Sequence, residues 1–334
     1  MNLLSDQARQ AFTVANAASA ALLTLTTIDC KMPISRYWDS VTYGNGRFVA
    51  VAEGFSAYGE DGITWTRATM PTSDSYHLVA YGNGKFVAVA PNGGITAYSE
   101  DGITWNKATL PTSGPWYAMT YGNGKFVAIA YNSDTAAYSE DGITWTETTM
   151  PVSRVWRSVA YGNGKFVAVA YNTKTAAYSE DGITWIETTM PMTDRYDSVT
   201  YGNGKFVAVT NDSDTATYSE DGITWNKATL PTSGLWHSVT YGNGKFVAIG
   251  YNKAAAYSED GITWIETTMP MTDSRSYRSV TYGSGKFVAV SNDTSAYSED
   301  GITWTDYADV ITMNSVDVTD RIRKLLGGSQ SATI

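Results

Sequence analysis

Seven near-identical heptapeptides set the terms for this chain. "GEDGITW" ends at Trp65, and "SEDGITW" ends at Trp105, Trp145, Trp185, Trp225, Trp264 and Trp304, so the period is 40 residues with a single step of 39. A second landmark, "YGNGKFVAVA" at Tyr81, has close copies beginning at Tyr43, Tyr121, Tyr161, Tyr201, Tyr241 and Tyr282. A period of this length marks a propeller or an array, and it overrides the usual inference of two or three domains from a length of 334 residues.

One repeat parses into four strands. From Trp156, "WRSVAY" alternates and is rich in β-formers, "GNG" turns the chain with glycines that accept positive φ, and "KFVAVA" returns it. "YNTKT" reads as a polar loop, "AAYS" as a short third strand, "EDG" as a turn, and "ITWIETT" as a fourth strand. The proline of "MPMTD" then stops pairing before the next repeat. Four strands of about six residues with four short connections fill about 40 residues. No helix-forming window exists between Arg36 and Tyr307. The expectation is an all-β seven-bladed β-propeller of four-stranded antiparallel blades. A linear β-solenoid is the competitor, but its coils are usually shorter and lack four hairpin-like turns per repeat.

The flanks break the pattern. Three segments are expected: 1–33 as a helix with a linker or closing strand, 34–310 as the propeller, and 311–334 as a short helix and tail. Ser5 caps a stripe of Ala8, Phe12, Ala15, Ala18 and Leu22 at helical spacing. The stripe either packs on the propeller or forms a docking helix. "LLTLTTI", Leu22 to Ile28, resembles a fourth strand and would clip the ring shut beside the last blade. "DVTDRIRKLLGG" reads as a helix capped by Asp317 or Thr319 and stopped by Gly327.

Composition excludes several classes. The net charge is −10 and no basic patch stands out, which argues against a nucleic-acid partner. Cys30 is the sole cysteine and His77 and His237 the only histidines, which argues against a disulfide, a metal centre or a cofactor site. The N-terminus lacks a basic n-region and no run of 18 apolar residues exists, so neither a signal peptide nor a membrane span is expected.

Ser139, Asp141, Gly142, Thr144 and Trp145 match in kind the pattern of the Asp-box, the turn motif of sialidases and other β-propellers, with one residue fewer between Asp and Gly. The repeats also resemble those of bacteriophage tail-fibre and virion propellers over about residues 34 to 306. The physical role of the box stands apart from any family. The Asp141 carboxylate accepts turn N–H groups, Gly142 supplies unusual φ, and Trp145 wedges between blades.

Chemistry is sparse on this reading. The arginines within the repeats, Arg36, Arg47, Arg67, Arg154, Arg157, Arg195, Arg275 and Arg278, are scattered, and the Arg-Ile-Pro motif of sialidases is absent. Asp39, Asp74, Asp194 and Asp197 offer carboxylates for glycoside hydrolysis, but nothing singles out a pair. No Ser-His-Asp set is evident. The expectation is therefore a protein that is not an enzyme.

What differs between copies is informative. In an up-and-down blade, the turns after strands one and three share one face of the disc and the loops after strands two and four share the other. The first set is nearly invariant and the second varies. An aromatic recurs at Trp38, Tyr76, Trp116, Trp156, Tyr196, Trp236 and Tyr277, followed by a residue of changing chemistry: Asp39, His77, Tyr117, Arg157, Asp197, His237 and Arg278. These fourteen are the candidate ligand-binding residues, with interblade packing as the alternative role of the aromatics. The expected function is a phage tail-fibre or receptor-binding propeller that recognises a cell-surface glycan or receptor. The alternatives are a structural baseplate, tail or capsid protein and a sialidase-like glycosidase. The protein would reside in the virion, and residues 1–33 and 311–334 would dock it to other virion proteins or to its own copies.

Overall fold

The computed structural model of the protein describes residues 23–270 and 277–313. Among the described residues every regular element is a strand. The two expected helices, over 5–22 and 317–327, lie outside the described residues.

The chain divides into two compact units. In the smaller, Leu23–Asp29 pairs antiparallel with Tyr307–Met313, from Leu23 opposite Met313 to Asp29 opposite Tyr307. The "LLTLTTI" stretch is thus a strand, but it belongs to a two-stranded sheet of its own and not to the sheet of a repeat.

The larger unit, Cys30–Asp306, holds the repeats. The first is a four-stranded antiparallel sheet of Ser40–Gly44, Arg47–Ala52, Phe55–Gly59 and Thr66–Thr69 in sequence order. The second repeats it with Leu78–Gly82, Lys85–Val89, Ile95–Ser99 and Asn106–Thr109. In the central repeats the connections themselves pair. Tyr171 stands opposite Arg195 and Thr173 opposite Asp194, so the loop after strand two and the linker after strand four form one arm. The expected proline stop is absent there, and the reason lies in the register. It jumps from Thr189, opposite Thr175, to Asp194, opposite Thr173, so Pro191 falls where its missing N–H costs no ladder bond.

The "YGNG" turn stitches neighbouring repeats together. Asn45 (φ 47°) and Gly46 (φ 76°) are both left-handed, as a tight two-residue hairpin turn requires. The Asn45 amide donates to the Glu100 carbonyl of the next repeat, and Asn83 donates to Glu140 in the same way. The preceding glycine has a different task. A methyl group on Gly44 would stand 2.0 Å from the ring of Tyr81. The same contact links Gly82 to Tyr121, Gly122 to Tyr161, Gly162 to Tyr201, Gly202 to Tyr241, Gly242 to Tyr282, and Gly283 to Tyr43. The cycle of contacts closes on the first repeat.

The cores lie between repeats. Phe166 and Trp185 of one repeat pack with Val127 and Ile129 of the previous one, and Trp38 and Phe48 pack with Val288 and Val290 of the last. The first-to-last seam is also bonded through the backbone: Met32 N donates to Asp293 O at 2.9 Å and Ser295 N to Cys30 O at 2.7 Å. Across the seam Trp65 Nε1 donates to Ser295 Oγ at 2.9 Å.

Candidate functional site

The seven aromatics that open the inner strands are sealed off. Trp38, Tyr76, Trp116, Trp156, Tyr196, Trp236 and Tyr277 all have zero exposure. Several are tied to their own arm. Trp38, Trp116 and Trp236 donate from Nε1 to Ile34, Thr112 and Thr232 carbonyls, and the Tyr196 hydroxyl donates to Met192 O. Burial raises the Tyr196 hydroxyl far above the usual phenol range. Their expected role as ligand contacts is corrected: a side chain with no accessible surface fills space between repeats.

The residue after each aromatic goes the other way. The inner ladder skips a residue between Trp116 and Ala118, Trp156 and Ser158, Tyr196 and Ser198, and Trp236 and Ser238. Tyr117, Arg157, Asp197 and His237 are therefore bulge residues, re-aimed by an irregularity of the kind that favours functional sites. They converge with Asp39, His77 and Arg278 on one cleft of about 390 Å³. All seven variable positions line this mouth. Asn211 and Tyr251, from the loops after strand two, join them.

In ring order the variable residues are Asp39, His77, Tyr117, Arg157, Asp197, His237 and Arg278. Since the last repeat meets the first, the order contains Arg-Asp-His twice: Arg157-Asp197-His237, and Arg278-Asp39-His77 across the seam. The two sets resolve differently. Asp197 Oδ2 lies 2.9 Å from His237 Nδ1 while Oδ1 lies 3.5 Å from Arg157 Nε. Asn211 Nδ2 also donates to Oδ2 at 3.2 Å. Asp39, by contrast, takes a hydrogen bond from Arg278 Nη1 at 3.0 Å and stands 3.6 Å from His77 Nε2. That nitrogen is 3.1 Å from Ser75 Oγ. Burial raises the Asp39 carboxyl above the usual range, and His77 and Arg278 offset part of that rise.

Arg157 is held by aromatics as well. Its guanidinium lies 4.8 Å from the ring centre of Tyr171, 5.4 Å from Tyr131 and 5.5 Å from Tyr117. His237 meets the Tyr251 ring edge-on at 4.4 Å. Its Nε2 is shielded from solvent and has no hydrogen-bond partner. Among the described residues no group of three His, Cys, Asp or Glu side chains is placed to hold a metal ion.

Sequence reasoning named the seven mouth residues but missed Asn211, Tyr131, Tyr171, Tyr251 and Ser75. The recurring "YN" after strand two was the available signal for Tyr131, Tyr171 and Tyr251; Asn211 and Ser75 had none. The other carboxylates singled out for hydrolysis stay on the arms: Asp194 Oδ2 accepts from Ser213 Oγ, and neither it nor Asp74 lines the mouth.

No protein-family model matches the sequence, and no curated protein matches it. Solved structures do match. Virginiamycin B lyase from Staphylococcus aureus superposes with a TM-score of 0.71 at 13% identity, covering 87% of this chain and 100% of that one. YCF48 bound to D1 peptide gives 0.63 at 15% identity over 80% of this chain and 94% of the other. The WD40 β-propeller domain of Doa1 gives 0.62 at 13% identity over 88% and 98%. The fold is a β-propeller.

At these identities the likeness concerns the fold alone, yet it corrects two expectations. The propeller was expected to be a phage virion binding protein and not an enzyme. The similar structures include a lyase, and none of those named points to a virion. The exclusion of enzymes also had a physical flaw. It rested on the arginines and carboxylates being scattered, whereas Asp39, Arg157, Asp197 and Arg278 converge on one mouth. Among the described residues no helix is long and apolar enough to cross a membrane.

Proposed function

We propose that the seven repeats are the seven blades of one propeller and that its mouth is an acid–base catalytic centre acting on a small molecule. His237 is the base, Asp197 orients it, and Arg157 holds a carbonyl or carboxyl oxygen of the substrate. The observation that carries this reading is the 2.9 Å contact between Asp197 Oδ2 and His237 Nδ1. With a proton on Nδ1 shared toward the carboxylate, the other nitrogen keeps its lone pair. That nitrogen has no hydrogen-bond partner, which costs about 1–3 kcal/mol, and it is shielded from solvent, so the side chains around it must shift for a substrate proton to reach it.

Direct proton abstraction suits the site better than covalent catalysis. Among the described residues no Ser or Thr hydroxyl bonds to His237. The nearby Ser198 and Ser238 hydroxyls accept backbone N–H groups, from Val239 and Val280, as part of the frame. The reaction class is β-elimination, the chemistry of a lyase: His237 takes the proton next to a carbonyl group, that electron pair forms a carbon–carbon double bond, and the bond to the β-leaving group breaks with its electrons on the departing group. The fold is compatible with it, since a lyase shares it.

The test is a turnover screen of quinupristin, which one lyase of this fold was solved with, and of lactones and β-substituted carboxylic acids, against the wild type and His237→Ala. The reading expects at least one class to be turned over, with a loss of about 10²–10⁴-fold in the variant. Equal turnover by both proteins, or ligand binding at the mouth with no turnover in any class, would refute it.

A further inference from the structure

The doubled Arg-Asp-His set says more about the ligand than either set alone. Within each set the acid is the recessed member. The Asp39 and Asp197 side chains are 14% and 10% exposed, whereas Arg278 and Arg157 are 36% and 27% exposed and His77 and His237 are 31% and 20%. The carboxylates are thus the most buried members of each set and the arginines the most exposed. Each guanidinium offers five N–H groups, of which its aspartate engages a minority. A ligand entering the mouth thus meets two guanidinium half-sites, Arg157 and Arg278, joined in a single cleft of about 390 Å³.

The two half-sites are related by the ring. One set occupies three consecutive repeats, the other occupies three more across the seam, and Tyr117 fills the remaining place. We propose that the mouth binds a small dianion, a molecule with two acidic groups, one seated at each arginine. The protein carries a net charge of −10, so this preference is local and works against the overall field. The recessed aspartates explain how it is achieved: each meets its arginine through one nitrogen, holds the guanidinium in place and leaves its remaining N–H groups for the ligand. Two carboxylates or two phosphoryl groups would satisfy the same geometry.

This inference rests on the mouth being a ligand site, but it is separable from catalysis by His237. Calorimetry with succinate, glutarate and adipate is compared with butyrate and with methylene bisphosphonate, on the wild type and on Arg278→Gln and Arg278→Lys. A dicarboxylate is expected to bind at least about tenfold more tightly than butyrate. Arg278→Gln is expected to remove that advantage, so that a dicarboxylate binds no more tightly than butyrate, and Arg278→Lys to restore part of it. Strong binding of the bisphosphonate with weak dicarboxylate binding supports the two-anion site and assigns phosphate as its chemistry. Butyrate binding as tightly as every dianion, or Arg278→Gln leaving dianion affinity intact, would overturn it. Thermal melting confirms that each variant is folded. Dianion binding without turnover would sink the catalytic reading alone, and turnover confined to monoanions would sink this one alone.

Discussion

A methyl group at Gly162 would stand 1.9 Å from Cγ of Tyr201, closer than any side chain tolerates. Overpacking of this kind costs about 1–3 kcal/mol or more, so Gly162→Ala is expected to lower the denaturant midpoint clearly, whereas an exposed change such as Thr184→Ser leaves it within error. The sequence reading assigned the "GNG" glycines to turn formation, which holds for Gly164 (φ 75°). It does not hold for Gly162, whose small size is demanded by a ring 39 positions away. A second residue-scale case concerns the tryptophan wedge. Trp105 Nε1 donates to Ser56 Oγ of the preceding repeat at 2.9 Å. At the equivalent place facing Trp185 stands Ala136, and Trp185 Nε1 has no partner. Ala136→Ser is expected to supply the acceptor and raise stability by about 0.5–1.5 kcal/mol in denaturant unfolding.

The turn before each wedge is the element with the clearest electrostatic signature. Asp221 Oδ1 accepts from Ile223 N at 2.8 Å, Thr224 N at 2.7 Å and Ser219 Oγ at 2.9 Å. Burial alone would raise this carboxyl. The Thr224 and Ile223 N–H groups and the Ser219 and Thr224 hydroxyls outweigh it and bring the carboxyl down to about 2. Asp141, Asp181, Asp260 and Asp300 are lowered for the same reasons. A depressed folded value means the contribution is complete above the unfolded value of about 3.9 and is lost as pH falls through about 2. Because these groups are largely exposed, each share is small. Their sum should still appear as a loss of melting temperature between about pH 4 and pH 2, and Asp221→Asn should flatten that slope slightly while lowering stability at neutral pH. The strands and turns of a repeat were legible because alternation and turn chemistry are local. The arms were not. Tyr171 pairs with Arg195 through polar residues more than 20 positions apart, and no hydrophobic period announces such a ladder.

For the whole molecule, the decisive event is the meeting of the last repeat with the first. Six turns carry an asparagine whose amide reaches the next repeat, as Asn243 does to Glu299 O at 3.2 Å. The seventh has Ser284 at a left-handed φ of 47°. Ser284→Asn is expected to restore both the backbone preference and the stitch to the first repeat, raising stability by about 0.5–1.5 kcal/mol, read as a higher denaturant midpoint. The mouth depends on the same closure. Its seven residues were legible as the variable positions, because a repeat supplies its own alignment. Their pairing was not: Arg278 meets Asp39 across 239 positions, and Asp197 meets His237 across 40. Only the ring turns scattered ionisable residues into two ordered sets. The central claim, that His237 held by Asp197 is a catalytic base, is tested most directly by the steady-state kinetics of Asp197→Asn on a substrate of the wild type. The account predicts a fall in kcat of about 10²-fold or more with KM little changed and melting temperature preserved. An Asp197→Asn protein that is folded and retains the wild-type kcat would contradict it.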